Sequence, residues 1–166
     1  MRNVILVPID FSDVTDLVLA QAARLSRELQ SSIRLVHAAA HAVPSGFGEL
    51  GPDCGCYSMP EYGEELREEL DDIRDNLAAS GLKVSAFMLH GSPADVISRQ
   101  AELINPGLIV LGSHGRGTFH QLLSGSVLQK VLRKVSCPVL VVPARMVIGT
   151  ADAIHAAALE EAGVAT

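Results

Sequence analysis

Three glycines and a serine, Gly112, Gly115, Gly125 and Ser126, fall in the spacing G-x2-G-x9-G-S directly after the apolar run Leu108-Ile109-Val110-Leu111. Glycine lets a backbone approach a ligand closely and take dihedrals closed to other residues. The pattern can therefore turn amide N–H groups and one hydroxyl toward an anion. The residues after Ser126 are helical in pattern, which puts Gly125 and Ser126 at a helix N-terminus, where unpaired N–H groups and the dipole favour negative charge. The chemistry indicated is phosphate capture. Two other phosphate loops are excluded by inspection: the chain has no G-x4-G-K-[ST], and Gly115-Arg116-Gly117 lacks the third glycine of a dinucleotide fingerprint.

Asp10 is the second conspicuous polar feature, closing the apolar run Val4–Ile9. It has two readings: a carboxylate that contacts a ligand, or a cap before the first helix, a task for which Ser12 and Asp13 also qualify. Arg116 is either a charge-assisted phosphate contact or a solvated loop arginine. His114 is a candidate acid or base because histidine as a residue type changes charge near neutral pH, but no second acid or base is placed with it, so efficient hydrolysis is not expected.

The elements that must hold these residues alternate between strand and helix. Val4–Ile9, Ile33–Ala38, Lys83–Leu89, Leu108–Leu111 and Pro138–Val142 read as strands. Between them, apolar residues recur at helical spacing: Val14, Val18, Ala22, Leu25 and Leu29; then Leu66, Leu70, Ile73 and Leu77; then Ala94, Ile97, Ala101 and Ile104; then Leu128, Val131 and Val135. Ser92-Pro93 is a helix start and Gly81 a helix stop. Nearly continuous apolar strands alternating with helices predict a doubly wound α/β domain, a parallel sheet covered on both faces. Ligands of such sheets bind at the carboxyl ends of the strands, where the connections change direction.

The ordered segments Val4-Ile5-Leu6-Val7-Pro8-Ile9-Asp10-Phe11-Ser12, Leu35-Val36-His37-Ala38, Gly91-Ser92-Pro93, Leu111 to Gly117, Ser124-Gly125-Ser126-Val127 and Cys137 to Pro143 resemble the universal stress protein family, specifically its ATP-binding branch. The resemblance spans residues 1–143. It implies a Rossmann-like, adenine nucleotide alpha hydrolase-like sheet of five strands in the order 3-2-1-4-5. It also implies a nucleotide site at Pro8, Ile9, Asp10, Ala38, Gly112, Ser113, His114, Gly115, Arg116, Gly117, Gly125, Ser126 and Val127, with the Asp10 carboxylate accepting from ribose hydroxyls and Ala38 beside adenine. The implied ligand is ATP, ADP or AMP, with a divalent cation such as magnesium accompanying it. The implied role is regulatory or stress-responsive, with at most weak ATP hydrolysis, and the implied assembly is a homodimer through the strand at 138–142. A nucleotide-independent interaction protein and a slow ATPase are the competing functions, and the intact glycine loop counts against the first.

Composition bounds the rest. A length of 166 residues with 48% hydrophobic and 19% charged content suits one domain, and the net charge of −6 argues against nucleic acid or an anionic membrane as partner. No run approaches the ~20 apolar residues of a membrane helix, and the three cysteines are expected to be reduced, which points to the cytoplasm. The segment from His41 to Met59, rich in glycine and proline and containing Cys54 and Cys56, reads as a long surface loop. The C-x-C spacing is a poor metal signal, so two reduced thiols are expected rather than a metal site. Eight acidic residues between Glu61 and Asp75 read as a solvated helix face. Residues 144–166 form a C-terminal extension with helical pattern from Ala151 to Ala162.

Overall fold

Each of the five apolar runs forms a strand in the computed structural model, which describes residues 3–39, 60–113 and 127–143. The glycine-loop positions His114, Gly115, Arg116, Gly117, Gly125 and Ser126 lie outside the described residues, as do the Cys54/Cys56 loop and the C-terminal extension. In chain order the elements are β1 (Val4–Ile9), α1 (Thr15–Leu29), β2 (Ser32–Ala39), α2 (Pro60–Ala79), β3 (Val84–His90), α3 (Pro93–Ile104), β4 (Leu108–Ser113), α4 (Val127–Lys134) and β5 (Val139–Pro143). The strands are all parallel and ordered β3-β2-β1-β4-β5, as the family resemblance implies.

Side-chain alternation along the strands builds two cores. Ile5, Val7 and Ile9 of β1, with Ile33, Leu35 and Val110, pack beneath α1 and α2, which contribute Val14, Val18, Ala22 and Leu70. Leu6, Val36, Ile109 and Leu111 turn to the opposite face and meet Ala94, Ile97 and Ala101 of α3 and Val131 of α4. The central strands are thus buried on both faces, as a nearly unbroken apolar sequence requires.

The helix termini follow their local chemistry with one correction. Ser92 caps α3: its hydroxyl accepts from the Asp95 N–H at 3.4 Å, and Pro93 occupies the first turn. Gly81 follows α2 at φ +85°, a conformation glycine takes without strain. At α1, however, neither Ser12 nor Asp13 is the cap. Val14 holds that position with no side-chain hydrogen bond, because the Ser12 side chain is turned back onto Asp10. Leu29 also leaves the expected stripe and is 54% exposed in the last turn of α1. On α2 the residues Glu64, Glu65, Glu68, Glu69, Asp72 and Asp75 are exposed, which makes this the solvated face read from the charge pattern.

Candidate functional site

The sheet stops being continuous at the carboxyl ends of its two middle strands. β1 pairs with β2 along its whole length, from Val4↔Ser32 to Ile9↔His37, but with β4 only at Ile5↔Leu108 and Leu6↔Ile109. Pro8, which has no N–H to give, lies just past the last of these pairs. Between the unpaired ends is a cavity of about 290 Å³. Its walls come from Pro8, Ile9 and Asp10 after β1, His37 and Ala38 of β2, and Leu111, Gly112 and Ser113 of β4. The starts of three helices complete it, with the N-cap Val14 and Thr15 and Val18 of α1, Pro93, Val96 and Ile97 of α3, and Val127 and Leu128 of α4.

The turn leaving β1 is held tightly. The Ser12 N–H and hydroxyl both donate to Asp10 Oδ1, at 3.2 and 2.7 Å. The His37 ring nitrogen Nδ1 lies 2.9 Å from the Ile9 carbonyl; a carbonyl only accepts, so Nδ1 carries the proton. Phe11 adopts φ +56°, an outlying conformation for a bulky residue, and its ring centroid sits 4.8 Å from that of His37. Strain of this kind persists only where surrounding contacts over-determine the backbone. Here the His37 hydrogen bond and ring contact, with the doubled Ser12 bond, supply them, and Asp10 is fixed at the crevice mouth.

Of the sequence-predicted positions, Pro8, Ile9, Asp10, Ala38, Gly112, Ser113 and Val127 all line this one cavity, although they come from four elements. The sequence reading did not single out Thr15, the His37 side chain, Pro93, Val96, Ile97 or Leu128 as site residues. One signal was available: in a doubly wound sheet the first turn of each helix following a strand faces the same crevice as that strand's end. Among the described residues no group of three or more His, Cys, Asp or Glu side chains could hold a metal ion. No helix among them is long and apolar enough to cross a membrane.

The model of the universal stress protein family matches residues 1–143. The chain belongs to that family. It is similar to universal stress protein YxiE of Bacillus subtilis, at 30% identity over 150 residues that cover 86% of this chain and 99% of YxiE. Among solved structures, this universal stress protein is similar to MJ0577 of Methanocaldococcus jannaschii, with a TM-score of 0.67 and 28% identity over 86% of this chain and 96% of that one. The fold also matches a universal stress protein of Archaeoglobus fulgidus solved in complex with dAMP, with a TM-score of 0.57 and 24% identity over 82% and 94% of the two chains.

Proposed function

We propose that the crevice between β1 and β4 binds an adenine nucleotide and that the protein acts as a nucleotide-responsive regulatory or stress-response factor. The observation that carries this reading is the convergence of Asp10, Ala38 and Gly112 on one cavity at the switch point of the sheet. Its volume of about 290 Å³ is near the lower end of small-molecule sites, about 300–1,000 Å³. The residues suit the group. Ala38 leaves room for a flat base between apolar walls, the Asp10 carboxylate accepts from ribose hydroxyls, and the glycine-loop amides with Ser126 and Val127 receive phosphates. The dAMP complex of the Archaeoglobus relative supports the ligand class.

Among the described residues no group of three or more His, Cys, Asp or Glu could hold a metal ion, so a magnesium ion would be carried by the phosphates. His37 Nδ1 is engaged with Ile9 and Asp10 Oδ1 with Ser12, an arrangement suited to holding a ligand rather than to moving protons. We further propose a homodimer through β5, which is the edge strand of the sheet and exposes Leu140.

Mass spectrometry of small molecules released on denaturing freshly purified protein, with calorimetric titration by ATP, ADP, AMP and GTP, tests the ligand reading. An adenine nucleotide in the released fraction and preference over GTP are expected. Absence of binding by all three adenine nucleotides, or equal affinity for GTP, overturns it.

A further inference from the structure

The Thr15 hydroxyl oxygen is buried and has no hydrogen-bond partner among the described residues, yet Thr15 is part of the cavity wall. Buried polar atoms are nearly always paired, so a buried hydroxyl with no partner among the described residues marks a place where a hydrogen bond from a ligand fits. The surroundings fit that reading. Thr15 opens a helix of 15 residues whose N-cap, Val14, makes no side-chain hydrogen bond. Its N–H donates to the Ser12 carbonyl at 3.0 Å. Ser12 in turn donates from its N–H and hydroxyl to Asp10 Oδ1. Asp10, Ser12 and Thr15 are therefore three consecutive stations of one hydrogen-bonded turn along one cavity wall.

The chemistry of that wall selects among ligand groups. A phosphate beside the Asp10 carboxylate would place like charges together, whereas a sugar hydroxyl can donate to a carboxylate and still accept from, or donate to, a neighbouring threonine. A threonine in a helix populates two rotamers that differ by one torsion, so turning its hydroxyl toward a ligand requires no backbone movement. We propose that Thr15 is a specificity residue that hydrogen-bonds a ribose hydroxyl of the bound nucleotide and discriminates against the deoxy form lacking that hydroxyl. This rests on the adenine-nucleotide reading above and deepens it.

The test is calorimetric titration of wild type, Thr15→Val and Thr15→Ser with AMP, 2′-deoxy-AMP and 3′-deoxy-AMP, together with the melting temperature of each unliganded protein. Valine keeps the shape of threonine and removes only the hydroxyl. Wild type is expected to bind AMP about three- to tenfold more tightly than one of the two deoxy analogues, the value of one hydrogen bond. Thr15→Val should lose that preference by weakening AMP alone, and Thr15→Ser should retain it. Because the hydroxyl has no hydrogen-bond partner among the described residues, Thr15→Val should melt at the same temperature as wild type or higher. A lower melting temperature for Thr15→Val would mean that the hydroxyl has a structural partner and would overturn the proposal. So would ribose-to-deoxyribose ratios that are the same in wild type and Thr15→Val. Failure of wild type to bind AMP, ADP or ATP at all overturns the nucleotide reading itself, and this one with it.

Discussion

Gly112 runs so close to Val14 that a β-carbon at position 112 would lie 3.1 Å from Val14 Cγ1, and 3.2 Å from Val18 Cγ2. The first glycine of the phosphate pattern thus faces helix α1, and its smallness lets β4 and α1 meet at the floor of the crevice. Gly112→Ala should cost about 1–3 kcal/mol through overpacking. The cost should shrink in a Val14→Ala background, where the methyl has room, although Val14→Ala alone leaves a cavity. Urea unfolding of the four proteins measures the coupling. Additive costs would place the strain elsewhere than at the Gly112–Val14 contact.

That relationship marks where sequence reading ends. The strand runs are legible because parallel strands buried on both faces need β-branched and aliphatic residues throughout, and Val4–Ile9 forms β1 with the bounds read from its sequence. Ser92-Pro93 is legible because a cap and a first-turn proline are local chemistry. Strand order comes from the family resemblance, since periodicity does not say which strands are neighbours. The direction in which Gly112 faces and the left-handed Phe11, whose ring meets His37, depend on contacts between different elements, and the choice of Ser12 between capping α1 and binding Asp10 is made between two local partners that its sequence position allows equally. Local pattern does not encode them.

Asp10→Ala should weaken ATP and AMP binding alike, because the ribose is common to both, by about 1.5–3 kcal/mol for loss of hydrogen bonds to a charged group. The glycine-loop variants Gly115→Val and Gly125→Val should instead abolish ATP binding while the fold survives, and Arg116→Ala should weaken ATP more than AMP. Calorimetry on proteins shown to be folded by circular dichroism separates these outcomes. Unchanged affinities in Asp10→Ala would assign the carboxylate to holding Ser12 and the β1 turn.

Asp95 supplies a pH-dependent contribution. Hydrogen bonds from Lys134 Nζ, 2.7 Å from Oδ1, and from the Ser92 hydroxyl, 2.6 Å from Oδ2, hold its carboxyl below the usual carboxylate range, and the charges of Lys134 and Lys130 act in the same direction. A folded-state pKa below the unfolded value stabilises the fold above the ordinary aspartate pKa of about 3.9. That contribution disappears as pH falls through the lowered folded value. Asp95→Asn should therefore melt below wild type at pH 7, and the two melting temperatures should converge in acid. The gap is expected to be small and salt-sensitive because the Lys134–Asp95 pair is exposed. A gap that persists at pH 2 would trace the effect to the α3 cap rather than to charge.

The edge strand β5 permits a test of assembly that spares the fold. The Ile109 N–H donates to the Pro138 carbonyl at 3.0 Å, and Ile109 is in register with Val139. In a parallel ladder the return bond comes from the N–H of the residue after the partner, here Leu140, so the N–H groups of Val139 and Val141 point away from β4 toward the open edge. A proline at Val141 removes one of those outward donors and none that holds β5 in its own sheet. If two copies pair their β5 strands antiparallel about a two-fold axis, the contact is closed and self-complementary, so a dimer and not a filament results. Light scattering should then report a dimer for wild type and a monomer for Val141→Pro, with near-wild-type helix content by circular dichroism. Leu140→Lys, which charges the side chain exposed at the same edge, should give the same shift without altering any backbone donor. A wild-type protein that is monomeric at micromolar concentration, or a dimer that survives both substitutions, would show that β5 does not pair.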